Sequence, residues 1–119
     1  MIDVIASLRR YHSAQNAFDM ARVESMFAEN AVYASPALNG EVKGRTAIMT
    51  AMRKHFAEFS DQISRDQEIK QINENTGWSK WSLNASSAFS GAKIKRTGTE
   101  TIIFNNNGLI VRVEVKDEA

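Results

Sequence analysis

Three side chains have the chemistry for acid–base catalysis and fall on faces that should be buried: Tyr11, His55 and Glu100. Burying such groups costs free energy unless partners await them, so their convergence points to a polar-lined cavity. Advancing about 100° per residue from Leu8 puts Val4 at about −40°, Ile5 at about 60°, Tyr11 at about −60° and Gln15 at about −20°. Tyr11 and Gln15 thus share one apolar stripe, and His12, at about 40°, lies at its edge, where we expect exposure. The same construction from Ile48 places Met52 at about 40°, Phe59 at about 20° and His55 at about −20°, so His55 faces the core. Strand alternation sets Gly98, Glu100, Ile102 and Phe104 on one face and Thr97, Thr99, Thr101 and Ile103 on the other.

Each type suits a role. A tyrosine hydroxyl, with an ordinary pKa near 10, donates a hydrogen bond to a carbonyl or enolate oxygen. A glutamate in an apolar site favours its neutral form and donates as well, or serves as base where a neighbour keeps it ionised. Gln15 and Ser35 complete the expected polar lining, and Met52, Phe56, Trp81, Ile102 and Val113 its apolar wall. The ligand expected there is small and hydrophobic or carbonyl-containing. Three functions stay open: an isomerase, cyclase or lyase acting next to a carbonyl; a non-catalytic carrier; and an assembly module with a vestigial pocket.

Other chemistry is not indicated. The two histidines lack an HxxxH or HxH partner, so no metal site is expected, and no Gly-rich phosphate loop calls for a cofactor. No GxSxG elbow is present. With no cysteine, thiolate sites and disulfides are excluded. Fifteen Lys plus Arg against fourteen Asp plus Glu leave a net charge of +1, too weak a field to imply nucleic acid or an anionic membrane. The short basic clusters Arg9-Arg10, Arg53-Lys54 and Lys93 to Arg96 read as solvated faces. The opening MIDVIASLRRYH lacks the apolar stretch of a signal peptide and no run approaches a membrane span, which makes a cytoplasmic protein the expectation.

The elements that must position these residues follow from periodicity. At 119 residues the chain fits a single domain, 1–119. Helical spacing predicts helices over 3–17, over MARVESMFA (20–28) behind an Asp19 cap, and over 46–60. A short strand over 31–35 ends at Pro36, a loop follows, and strands occupy 63–74, 78–86, 92–105 and 109–116. Asn107-Gly108 predicts a two-residue type I′ turn, with further turns at Asn75-Thr76-Gly77 and Ser86 to Gly91. Helices followed by an antiparallel meander indicate an α+β domain with three N-terminal helices packed on a curved sheet.

The runs YHSAQNAFDMARVESMFAENAVYASP, NGEVKGRTAI and TETIIFNNNGLIVRVEV resemble the nuclear-transport-factor-2-like superfamily, particularly its SnoaL-like and ketosteroid-isomerase-like members. The resemblance implies a conical fold around a pocket and a homodimer formed through the sheet. It matches Tyr11 to the isomerases' oxyanion-hole tyrosine and Glu100 to their protonated aspartic acid. Where those enzymes carry an acidic residue just before the strand's proline, this chain has Ser35, and a hydroxyl without an adjacent base does not replace a carboxylate. The resemblance therefore leaves the base to His55 first and Glu100 second, the latter with Tyr11 and Gln15 as oxyanion donors.

Overall fold

In the computed structural model, which describes residues 2–38 and 40–118, Asp3 caps the first helix, α1 (Val4–Asn16), its Oδ1 accepting the Ala6 N–H at 3.0 Å. Val4, Leu8, Tyr11 and Ala14 form its buried stripe. Asp19 caps α2 in the same way, accepting from the Arg22 N–H at 3.1 Å. This second helix covers only Met20–Ser25, three residues short of the expected end. Phe27 and Ala28, which the helical pattern includes, open the first strand instead. Phe27 pairs with Ile110 and is fully buried, so sheet pairing and core burial override that pattern.

That strand, β1, runs Phe27–Ser35, and Pro36–Leu38 then form a single 3-10 turn. A short strand, β2 (Gly40–Lys43), stands where the sequence pattern indicates a loop and pairs antiparallel with β1. Helix α3 (Arg45–Glu58) follows, entered through Gly44 at φ 92°, and then β3 (Ile63–Asn73), β4 (Thr76–Ser86), β5 (Lys93–Phe104) and β6 (Ile110–Glu118). The β5–β6 connection is wider than the expected type I′ turn. Among the described non-glycine residues only Phe18 has positive φ, so Asn107 does not adopt the conformation that turn needs. The Asn105 side chain organises the loop instead, accepting the N–H groups of Asn107 and Leu109 at 2.9 and 3.0 Å.

The six strands make one sheet of order β2-β1-β6-β5-β4-β3, antiparallel throughout except for the parallel β1–β6 pair. Register shifts in β1–β6, β3–β4 and β5–β6 mark irregularities of the kind that bend strands. The result is a cone-like α+β fold with the helices closing the concave side. Its solid core is one buried cluster that includes Leu8, Tyr11, Phe27, Ile102, Phe104 and Val113. Close approach of α1 to the sheet depends on Gly77, where an added Cβ would meet Leu8 Cδ1 at 2.9 Å. Among the described residues no helix is long and apolar enough to cross a membrane.

Candidate functional site

Beyond this core the fold stays partly open. There a cavity of about 100 Å3 is walled by α1, β1, α3 and the inward faces of β3 to β6. Sheet register explains its depth. On β5 the inward residues descend from Arg96 through Gly98 to Glu100, opposite Leu83, Trp81 and Ser79 of β4. Gly98 lets the Trp81 indole lie across the strand, for a Cβ there would stand 2.6 Å from Trp81 Cζ2 and would collide with the Lys116 carbonyl. One inward step beyond Glu100, Ile102 pairs with Val113 and the core closes.

The inner end of this cavity is a chain of three charged groups. His12 Nε2 lies 2.5 Å from Glu100 Oε1, and His12 Nδ1 lies 2.8 Å from Asp66 Oδ2. Side-chain exposure rises outward along the chain, from 7% at Glu100 to 15% at His12 and 20% at Asp66. Burial alone would lower the His12 pKa. The Glu100 charge, the hydrogen bonds to Asp66 and Glu100 and the Asp66 charge outweigh it and push the imidazole up to about 10. His12 is thus an imidazolium at neutral pH and hydrogen-bonds both carboxylates.

Beside it lies a second polar chain. Gln15 Nε2 donates to the Tyr11 hydroxyl at 3.0 Å, and the Tyr33 phenol lies against Tyr11. Burial, first of all, raises both phenols well above the usual tyrosine range, so both keep their protons. Tyr33 lines the cavity, whereas Tyr11 does not.

At the outer end stand His55, Arg96 and Gln62. Burial and then the Arg96 charge lower the His55 pKa, partly opposed by Glu58, so this imidazole is neutral at pH 7. Arg96 lies over the Trp81 ring, 5.5 Å from its centroid, and makes a two-point pair with Asp117 through Nε and Nη2 at 3.2 and 2.5 Å.

Of the residues anticipated from sequence, His55, Glu100, Gln15, Ser35, Met52, Phe56 and Trp81 line the cavity. Tyr11, Ile102 and Val113 do not line it. All three are fully buried in the core behind it, because the register sinks Ile102 and Val113 one step too deep and Phe27 packs edge-on against the Tyr11 ring. Ser35 is buried and its Oγ accepts the Ala37 N–H at 3.2 Å.

Five participants lie outside the anticipated set, Gln62 in the loop before β3 being one. His12 is half-buried between carboxylates rather than exposed, although its angular position on α1 matches that of Met52 on α3. Tyr33 shares a face with Ala31 and Ser35, a legible alternation. Arg96 shares the inward face of Glu100, whereas its place in a basic run suggests solvation. Asp66 lies on a strand whose side chains are mostly exposed, and its sequence carries no signal. No group of three His, Cys, Asp or Glu residues suited to a metal ion occurs among the described residues.

Comparison with known proteins places this architecture. The SnoaL-like domain family matches residues 8–113. The chain belongs to that family. No curated protein matches it. Among solved structures, this SnoaL-like chain is similar to an NTF2-like protein of unknown function from Exiguobacterium, with 19% identity, TM-score 0.82, and 94% of this chain and 98% of that one covered. It is similar to RV0760c from Mycobacterium tuberculosis, solved with estradiol-17beta-hemisuccinate (15% identity, TM-score 0.83, 94% and 91% covered). It is also similar to SalBIII, an epoxide hydrolase/cyclase-like enzyme in pyran ring formation of the polyether salinomycin (14% identity, TM-score 0.85, 95% and 88% covered). At such identities the SnoaL-like chain shares their fold, and its chemistry must be argued from its own residues.

Proposed function

We propose that this SnoaL-like protein is an acid–base enzyme of isomerase, cyclase or lyase type, acting next to a carbonyl of a small, largely apolar ligand. One observation carries the reading: a carboxylate on the cavity wall, Glu100, is hydrogen-bonded by a histidine that a second carboxylate, Asp66, holds from behind. In this mechanism the Glu100 oxygen not engaged by His12 takes a proton from the carbon beside the carbonyl. The C–H electron pair moves onto the carbonyl oxygen. Tyr33, which lines the cavity with its proton retained, and Gln15 donate to that oxygen as charge develops. Glu100 then returns the proton to the same carbon or to a conjugated one. Tyr11, buried behind, acts as a positioning residue for Gln15 and Tyr33. His55, neutral and at the outer end, is the alternative base.

A carrier without catalysis is the second reading, and Ser35 favours it: no carboxylate occupies that cavity position, and the Ser35 hydroxyl is engaged with backbone. A homodimer through the outer face of the sheet, where Thr97, Thr99, Thr101 and Ile103 are half-buried, accompanies either reading.

The test uses 4-phenylcyclohexanone in D2O, with proton NMR following exchange at the carbons beside the carbonyl. The protein should accelerate exchange, and Glu100→Gln should slow it by about 100-fold or more, in the range of a lost general base. Equal exchange by Glu100→Gln and parent sinks the Glu100 assignment. Binding without exchange in the parent establishes the carrier instead.

A further inference from the structure

The cavity has a second polar end that the proton-transfer reading leaves unused. Arg96 and Glu100 are four residues apart on one face of β5, which separates the two ends by roughly 13 Å of strand. At the Arg96 end the cavity meets an outer chamber of about 330 Å3, the two sharing Ala37, His55, Leu83 and Arg96 as lining. Gln62 lines the inner cavity at this same end and is 7% exposed, and its Nε2, itself closed to solvent, has no hydrogen-bond partner among the described residues. A buried amide donor left unpaired is a cost to the fold, and native structures carry few such groups without a reason.

We infer that the outer end is a second ligand anchor, where the Gln62 side-chain amide, turned toward the cavity, and Arg96 Nη1 donate to a neutral acceptor oxygen at the far end of the ligand from the reacting carbonyl. This rests on the proposed function above and extends it to the class of ligand: a rigid apolar skeleton with two oxygens, spanning both chambers.

Local charge excludes an anion as the occupant. Arg96 already gives Nε and Nη2 to Asp117, and Glu58 lines the same chamber with its Oε2 accepting from the Ser87 hydroxyl. Two carboxylates thus share the chamber with one guanidinium, so a ligand carboxylate would add a third negative charge. A ketone, ester or ether oxygen takes the free donors without that repulsion. Trp81 holds the guanidinium from below and limits its reorientation, and the chamber walls at Phe59, Leu83, Ala85 and Ile94 are apolar, matching the skeleton between the two oxygens.

Three probes of one skeleton test this: 4-phenylcyclohexanone, the same molecule with a para-acetyl group on the phenyl ring, and the same molecule with a para-carboxylate. Their Kd values would be measured by calorimetry with the parent protein and with Gln62→Met, alongside Tm. The acetyl compound should bind at least about tenfold tighter than the unsubstituted ketone, because one of its two donors is a charged guanidinium. Gln62→Met should cut that advantage by about fivefold, the scale of one neutral hydrogen bond, leave the unsubstituted ketone unchanged, and keep Tm equal or raise it, since an unpaired donor is gone.

Equal binding of the acetyl and unsubstituted probes overturns the anchor, as does tightest binding by the carboxylate. A fall in Tm of several degrees with equal loss for both neutral probes makes Gln62 structural and also overturns it. If the acetyl preference appears but no proton exchange occurs at the carbonyl, the anchor stands and the catalytic reading fails. Exchange without the preference keeps the catalytic reading and overturns the anchor, and failure of all three probes to bind overturns both.

Discussion

The chain has two histidines, and they sit at opposite ends of one cavity in opposite states. Burial pushes both imidazoles towards neutrality. At the inner end Glu100 and Asp66 reverse that push and raise His12 to about 10. At the outer end the charge of Arg96 adds to burial and His55 stays neutral. What sets the protonation of a half-buried histidine here is therefore the sign of its neighbours rather than its depth. The same contrast divides the cavity's chemistry, with a cation fixed behind a carboxylate inside and uncharged donors beside a compensated guanidinium outside.

Removing the inner histidine should break the contrast most severely. His12→Leu leaves Glu100, 6% exposed, without its cationic partner. Breaking a buried pair from one side costs about 3–5 kcal/mol, and urea unfolding should show a loss of that size, whereas His55→Leu should cost less than about 1 kcal/mol. Equal losses from the two variants would mean that the His12 chain is no tighter than an ordinary half-buried contact.

The next largest effect is on pH dependence. His12 has a folded pKa raised above its unfolded value, so the folded state binds more protons in between. Its stabilisation is complete below about 6.5 and is lost as pH rises through about 10. Stability should fall across that window by up to about 1.4 kcal/mol per pH unit, the linkage limit for one proton. In His12→Leu that component should vanish. A parent profile that is flat from pH 7 to 9 would contradict the ion-pair assignment.

How much of this was legible in sequence depends on whether one element or two had to be known. Facing along a single helix or strand was readable: Gly98, Glu100, Ile102 and Phe104 all turn inward, and Gln15, Met52 and His55 reach the cavity, as period alone required. Depth was not readable, because it depends on register between strands. Ile102 and Val113 share the faces of cavity residues yet lie one pairing step below the floor, and Tyr11 yields its expected place to Tyr33 on another element. Partners were not readable either. His12 takes its charge from residues 54 and 88 positions away, so its role emerges only when β3 and β5 are brought against α1. The Phe27 strand start and β2 escape a single-element pattern for the same reason, since both are fixed by pairing with a neighbour.

The smallest effect expected is at the outer histidine, and its sign is what sharpens the comparison. His55 has a folded pKa below its unfolded value, so the unfolded chain binds the extra proton first. Its contribution is complete above about 6.5 and is lost as pH falls below that value towards the lower folded pKa, opposite in direction to His12. The group is only half-buried, so solvent screening keeps the slope well below the one-proton limit. Parent and His55→Leu proteins should therefore show parallel stability above pH 7, with the parent losing more as pH falls from 6.5 to 5. Because carboxylates titrate in both proteins alike, the difference between the two curves isolates this residue. A difference curve that instead declined above pH 7 would mean that His55 has gained an anionic partner, with Glu58 outweighing Arg96, and the outer end would then resemble the inner one.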